Sequence, residues 1–166
     1  MIEHSRLLEL LHYCPVSGVF TRKIALSHRS KVGEIAGNFN HGYVELSVDG
    51  KVYRAHNLAW FYIHGVWPKY LLDHEDRNKS NNAISNLREA TSSQNGANTC
   101  KSKSNRSGFK GVTSYGFKFK AAIMVNRKRV HLGVFDKARD AAIIYDVVAI
   151  KYFGNFAKTN KQLGYI

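Results

Sequence analysis

Residues 98–108, Asn-Thr-Cys-Lys-Ser-Lys-Ser-Asn-Arg-Ser-Gly, hold no aliphatic or aromatic side chain and separate a pair of apolar-patterned halves of unlike charge. Residues 1–97 carry 11 Lys+Arg against 9 Asp+Glu, a net +2, and residues 98–166 carry 14 against 3, a net +11. A chain of 166 residues with 44% apolar composition can build packed cores. Two small domains, 1–97 and 108–166, joined by a basic linker at 98–107, are therefore expected, and a solvated loop inside one domain is the alternative. The overall +13 favours a polyanionic partner. No run reaches the roughly 18 apolar residues of a bilayer crossing, and Met1, Ile2, Glu3 and His4 open no signal sequence, so a soluble, unsecreted chain with no membrane partner is expected. Cys14 and Cys100 stand 86 positions apart, which predicts free thiols in a reducing compartment and neither a zinc knuckle nor a redox pair.

Helical spacing marks residues 2–11, and a turn followed by a short strand is expected over residues 13–23. Two alternating runs, 43–48 and 51–54, flank Asp49-Gly50 and predict a β-hairpin. His56, Ala59, Trp60 and Ile63 then recur at helical spacing, with Gly65 placed to end the helix and Pro68 beyond.

Next, Leu71-Leu72 leads an Asp73-His74 pair into a loop dense in Asn, whose side chains close turns on their own backbone. A returning strand is expected at 87–90. Thr91-Ser92-Ser93-Gln94 reads as a capping box that opens a helix carrying Asn95. The expected unit is strand, long loop, strand, helix. Hydrolysis of a phosphodiester needs an activated water, a neutralised anion and a stabilised leaving oxygen, which a neutral imidazole and one hard cation supply together. Asp73 and Asn95 offer oxygen donors suited to Mg²⁺. In an extended segment His74 would project opposite Asp73. A turn-forming surface loop with a packing histidine is the plain alternative.

Asp73-His74, Asn86, Asn95, the Asn81-Asn82 pair and the upstream His56 to Trp60 stretch together resemble the HNH (ββα-metal) endonucleases, above all phage and intron homing enzymes, over about residues 21–98. By position the resemblance implies Asp73 and Asn95 as metal-binding residues, His74 as the catalytic general base, and Asn86 as the residue that holds the loop so that the imidazole is aimed. It assigns no role to His56. Zinc-stapled members have cysteine pairs that are missing here, so Mg²⁺, with Mn²⁺ able to replace it, and no zinc, is the expected cofactor.

Beyond residue 108 the pattern is again one of alternation. Phe117, Phe119, Ala121, Ile123 and Val125 fall on one face of a strand, Lys118, Lys120, Ala122, Met124 and Asn126 on the other. Arg127-Lys128 form the turn, and Arg129 and His131 alternate with Val130, Leu132 and Val134. Asp136 is placed to cap a helix whose Ala138, Ala141, Ala142, Tyr145, Ala149 and Tyr152 make an apolar stripe ending at Gly154. Gly108-Phe109-Lys110-Gly111-Val112, His131-Leu132-Gly133-Val134-Phe135, Asp140-Ala141-Ala142, Tyr145 and Asn160 resemble the AP2/ERF DNA-binding domain over about residues 107–160. That family lays its sheet in the major groove. The resemblance implies a DNA-binding set of Lys110, Thr113, Tyr115, Lys118, Lys120, Met124, Arg129 and His131, to which Arg127 and Lys128 of the turn are added, with Arg129 the best placed for a guanine. Thr113, Ala122, Met124 and His131 depart from the plant pattern, so no base preference carries over.

The expected class is thus α+β: an N-terminal HNH ββα-metal module and a C-terminal three-stranded antiparallel sheet packed on one helix, AP2/ERF-like. The expected function is a metal-dependent DNA endonuclease, monomeric on double-stranded DNA or a transient dimer, in the cytoplasm of a bacterial host and encoded by a phage or mobile element. A non-catalytic, sequence-specific DNA-binding regulator with a degenerate nuclease module is the main alternative, and RNA binding or cutting a weaker one.

Overall fold

A computed structural model describes residues 1–25 and 30–166. The chain divides into two units, Met1–Glu89 and Ala90–Ile166. The division falls ahead of residue 97, so the first helix after residue 90 and the polar stretch 98–107 belong to the second unit. That stretch is folded back on its own unit: the Asn105 amide donates to the carbonyls of Phe109 (2.9 Å) and Val112 (3.0 Å), and the Ser107 hydroxyl donates to that of Val112 at 2.8 Å.

In the first unit, α1 (His4–Leu10) runs into β1 (Leu11–Tyr13), which pairs antiparallel with β2 (Phe20–Arg22). β3 (Asn38–Asn40), β4 (Tyr43–Val48) and β5 (Lys51–Arg54) form an antiparallel meander. Its second turn is Asp49-Gly50, both at positive φ, as a two-residue hairpin requires. β5 passes directly into α2 (Ala55–His64), ended by Gly65. The helix is where expected, but its buried stripe is rotated: Ala55, His56, Leu58, Ala59 and Phe61 lie inside, whereas Ile63 is exposed and Trp60 half-buried. The bulk of Leu58 and Phe61 sets which face turns inward, since each apolar side chain of that size contributes about 1.5–3 kcal/mol when buried. Trp67 stacks on both Phe61 and Tyr53. β6 (Leu71–His74) and β7 (Leu87–Ala90) form a two-stranded sheet joined by the Asn-rich loop, which ends in a 3₁₀ turn over Ile84–Asn86.

The second unit begins with α3 (Ser92–Ala97), whose capping box is formed as expected: Gln94 N–H donates to Thr91 Oγ1 (3.3 Å) and Thr91 N–H to Gln94 Oε1 (2.8 Å). β8 (Val112–Tyr115), β9 (Lys118–Val125) and β10 (Lys128–Phe135) make an antiparallel sheet in the order β10-β9-β8. α4 (Ala138–Phe153) covers one face, burying Ala141, Ala142, Tyr145, Ala149 and Phe153 against Val112, Ala121 and Ile123. Four details depart from the alternation read in the sequence. Phe117 is not on the packed face; it occupies the β8–β9 turn and is 102% exposed. A bulge between His131 and Gly133 inserts one residue and flips the residues after it, so Val134 pairs with Lys120 on the uncovered face. Asp136 does not cap α4: Lys137 holds the cap position, and the Asp136 carboxylate meets Lys118 Nζ at 3.0 Å instead. Tyr152 is exposed, and Phe153 takes the buried place expected of it.

Candidate functional site

β6 delivers Asp73 and His74 to the start of the loop, both buried, at 4% and 5% exposure. The loop beyond them is built around Asp76. Its Oδ1 accepts from Asn78 N–H (2.7 Å) and the Asn86 amide (3.0 Å), and its Oδ2 from the Asn81 amide (2.7 Å). Burial pushes the Asp76 carboxyl up, but these bonds outweigh it and hold the group below its ordinary value. Asn86 closes the ring by accepting Asp76 N–H at Oδ1 and donating to the Asn81 carbonyl at 2.8 Å, while its own carbonyl accepts Glu75 N–H. Asn86 therefore braces the loop, and the imidazole itself is held by another residue.

That residue is Asn82. Its amide nitrogen donates to the Ser80 carbonyl (3.2 Å), which turns Oδ1 toward His74 Nε2 at 3.2 Å. An amide oxygen only accepts, so Nε2 carries the ring proton and Nδ1 is the basic nitrogen. Asn82 is 2% exposed, and its backbone is fixed by the Tyr13 hydroxyl donating to its carbonyl at 2.7 Å. Gly18 makes this approach feasible: a Cβ there would lie 2.3 Å from Asn82 C and Ala83 N, on a residue at φ +72°. Along the sequence Asn82 is one asparagine of a pair, with no role separate from Asn81. Its signal is the Asp-x-Asn-x-Ser spacing of linked side-chain turns, which fixes where the second asparagine of the pair must point.

Arg88 donates from Nε to Asp73 Oδ2 at 3.0 Å, and its Nη2 stands 3.0 Å from the same oxygen. His56, left without a role by the sequence, lies edge-on to His74 with ring centroids 5.0 Å apart and beside Tyr43 at 5.4 Å. Its Nδ1 is buried with no hydrogen-bond partner among the described residues. Over the Tyr43 ring lie Arg54 and Lys79, 4.4 and 4.7 Å from its centroid, two cations that no motif in the sequence singles out.

Burial lowers both imidazoles, and the bond to Asn82 offsets part of the effect at His74. His56, with the neighbouring His74 and Arg54 charges adding to its burial, falls to about 3. Both rings are thus neutral at pH 7, which leaves His74 able to take a proton. Stability follows with a definite sign. A histidine depressed in the folded state contributes stability that is complete above its ordinary value of 6.5 and is lost as the pH falls toward 3. Between pH 6 and 5, His56 should remove about 1.2 kcal/mol of stability. Urea midpoints of the wild type and of His56→Phe over pH 7.5–5 check this: the variant should show the smaller slope, and equal slopes would rule out His56 as its source.

Asn95 lies on α3 in the second unit, half-buried. Register there places Thr113, Tyr115, Lys118, Lys120, Met124, Arg129 and His131 on the face of the sheet that α4 leaves uncovered: Thr113 opposes Lys120, Tyr115 opposes Lys118, and Arg129 opposes Met124. Arg127 and Lys128 stand exposed at the β9–β10 turn. Lys110 is set apart from them, correcting its expected place. It is 7% exposed, and its ammonium donates to the carbonyls of Ala97 (2.6 Å) and Lys158 (2.9 Å), so it serves the core rather than the surface.

Residues 53–97 match the HNH endonuclease family. Over 90 residues the chain is 38% identical to an uncharacterized HNH endonuclease of Acanthamoeba polyphaga mimivirus, covering 54% of this chain and 46% of that protein. Over 64 residues it is 42% identical to protein 3.8 of Escherichia phage T7, covering 38% of this chain and 53% of the relative. The chain thus aligns with about half the length of these curated relatives. No described helix is long and apolar enough to cross a membrane.

Proposed function

We propose that this chain is a metal-dependent DNA endonuclease of the phage and intron homing type, with His74 as general base. The observation that carries the proposal is the buried His74, held through Nε2 by Asn82 inside a segment that matches the HNH family. Nδ1 takes the proton of the attacking water. Asn86 and Asp76 keep the loop from drifting, and Arg54 and Lys79 bring positive charge beside the imidazole for a phosphate. The metal would be Mg²⁺, with Mn²⁺ a substitute and zinc not required, and Asp73 and Asn95 are the residues that would hold it. A carboxylate accepts at about four lone-pair sites, so the Asp73 oxygen paired with Arg88 does not exhaust it. The donors are hard oxygens, as that cation prefers. When bound, the metal neutralises the phosphate and stabilises the leaving oxygen. Cleavage leaves 5′-phosphate and 3′-hydroxyl ends.

The second unit acts as an AP2/ERF-like module that binds double-stranded DNA through its uncovered face, as a monomer or in a transient dimer, in the cytoplasm of a bacterial host. Its charge and the register of Lys120, Arg129 and His131 on that one face support this. Arg129→Ala should weaken binding to the preferred duplex by about 1–3 kcal/mol while changing affinity for random duplex little. Competition anisotropy reads the difference, and equal losses on both duplexes would make Arg129 a phosphate contact only.

Purified protein on supercoiled plasmid, with Mg²⁺ and then with EDTA, tests the nuclease. Nicking that EDTA abolishes is expected. One feature favours a clamp without scission: Asp73 already has Arg88 as its counter-ion. Tight, salt-sensitive binding with no strand break in Mg²⁺ or Mn²⁺ would decide for the clamp.

A further inference from the structure

The tip of the β8–β9 hairpin is an aromatic side chain that the packing of its unit does not use. Gly116 and Phe117 make the two-residue turn between Tyr115 and Lys118, and Gly116, at φ +59°, supplies the backbone that its first position requires. Phe117 is 102% exposed, more than any other large apolar side chain described. Single exposed apolar residues are common on proteins. Three things set this one apart. It projects at a turn rather than along a covered element. It adjoins the uncovered sheet face at the end where Tyr115 opposes Lys118. Its neighbourhood is cationic, with Lys120 Nζ 4.1 Å from the Tyr115 ring centroid and Lys118 in an exposed pair with Asp136, a kind worth little and readily exchanged for a phosphate.

We propose that Phe117 is a stacking wedge: when the uncovered face lies on duplex DNA, its ring enters between neighbouring bases while Lys118 and Lys120 hold the flanking phosphates. The proposal rests on the DNA-binding role of the second unit. Charge complementarity selects the occupant, since residues 98–166 carry a net +11. Proteins that deform duplexes use such apolar side chains to open base steps, and a ring stacked on a base needs no particular sequence. The work is divided accordingly. The cations give salt-dependent affinity, and Phe117 gives a component that salt does not screen together with local unwinding of the duplex.

The full chain is tested in EDTA, where DNA is bound and not cut, using a topoisomerase that needs no metal to relax closed circular plasmid in its presence. Wild type should shift the topoisomer distribution toward unwinding, and Phe117→Ala, at a concentration that saturates the same plasmid, should not. Phe117→Ala should also lose roughly 5- to 100-fold in affinity for a mixed-sequence duplex, with an unchanged slope of log affinity against log salt, whereas Lys118→Ala should lower the slope. Equal unwinding by wild type and Phe117→Ala, or no unwinding by a bound wild type, would overturn the wedge and leave DNA binding intact. Failure of wild type to bind plasmid at all would overturn the DNA-binding role, and the wedge with it. Binding to phosphatidylserine vesicles but not to plasmid would overturn both and give Phe117 to a lipid surface.

Discussion

Replacement of His74 by alanine should lower Mg²⁺-dependent nicking of supercoiled plasmid by about 10²- to 10⁴-fold, the usual contribution of a positioned general base. The loss should fall on the rate at saturating DNA rather than on affinity, because the charges that would bind phosphate, Arg54 and Lys79 among them, are on other side chains and stay in place. Its dependence on pH should be distinctive. Burial holds the His74 imidazole below its ordinary value of 6.5, so the proton-accepting form persists to lower pH than for an exposed histidine. The acid limb of the wild-type rate profile should therefore lie below pH 6.5, and the residual activity of His74→Ala should lack that limb. Equal cutting by the variant would remove His74 as the base. Asn82→Leu gives a second reading of the same geometry. Without the amide oxygen the imidazole loses the partner that fixes its proton on Nε2, so the rate should fall although His74 is present.

The second large effect concerns the frame of the basic unit. Asn160 is fully buried, its Oδ1 accepting Lys110 N–H at 2.7 Å and its amide donating to the Lys110 carbonyl (3.1 Å) and to Asp146 Oδ1 (2.8 Å). Asn160→Ala would strip these partners at once. An abandoned buried donor or acceptor costs about 1–3 kcal/mol, so a loss of roughly 3 kcal/mol or more is expected. Hydrogen exchange at the Ala121 and Ile123 amides of β9 should then quicken by about 100-fold or more. Unchanged exchange would mean that α4 and the sheet are held by apolar packing alone.

Lys110 illustrates what a pattern of residues does and does not encode. Its place in a basic, alternating half makes it one more surface cation in the sequence, and nothing local distinguishes it from Lys118 or Lys120. Only the folded chain puts the Ala97 and Lys158 carbonyls around its ammonium, from positions 13 and 48 residues away. Phe117 is the converse case: its alternation with Phe119 and Ala121 reads as core, but the strand begins one residue later, and a turn residue has no face to pack. The bulge at Leu132 likewise reverses Val134, because a single inserted residue changes the parity of everything after it.

Period and turn chemistry are local properties, and they were enough to locate the β4–β5 hairpin, α2, β6, the capped α3 and the strand pattern of the basic half. The places of Asp73 and His74 at the end of a strand and of Asn86 at the end of the loop were legible because they are written along one short stretch. Which asparagine grips the imidazole, which arginine meets Asp73 and which histidine backs His74 all depend on side chains that approach one another across 8 to 18 positions. Such contacts arise only once the core has chosen which face of each element to bury, a choice made by competition among bulky side chains over the whole unit that no local window contains.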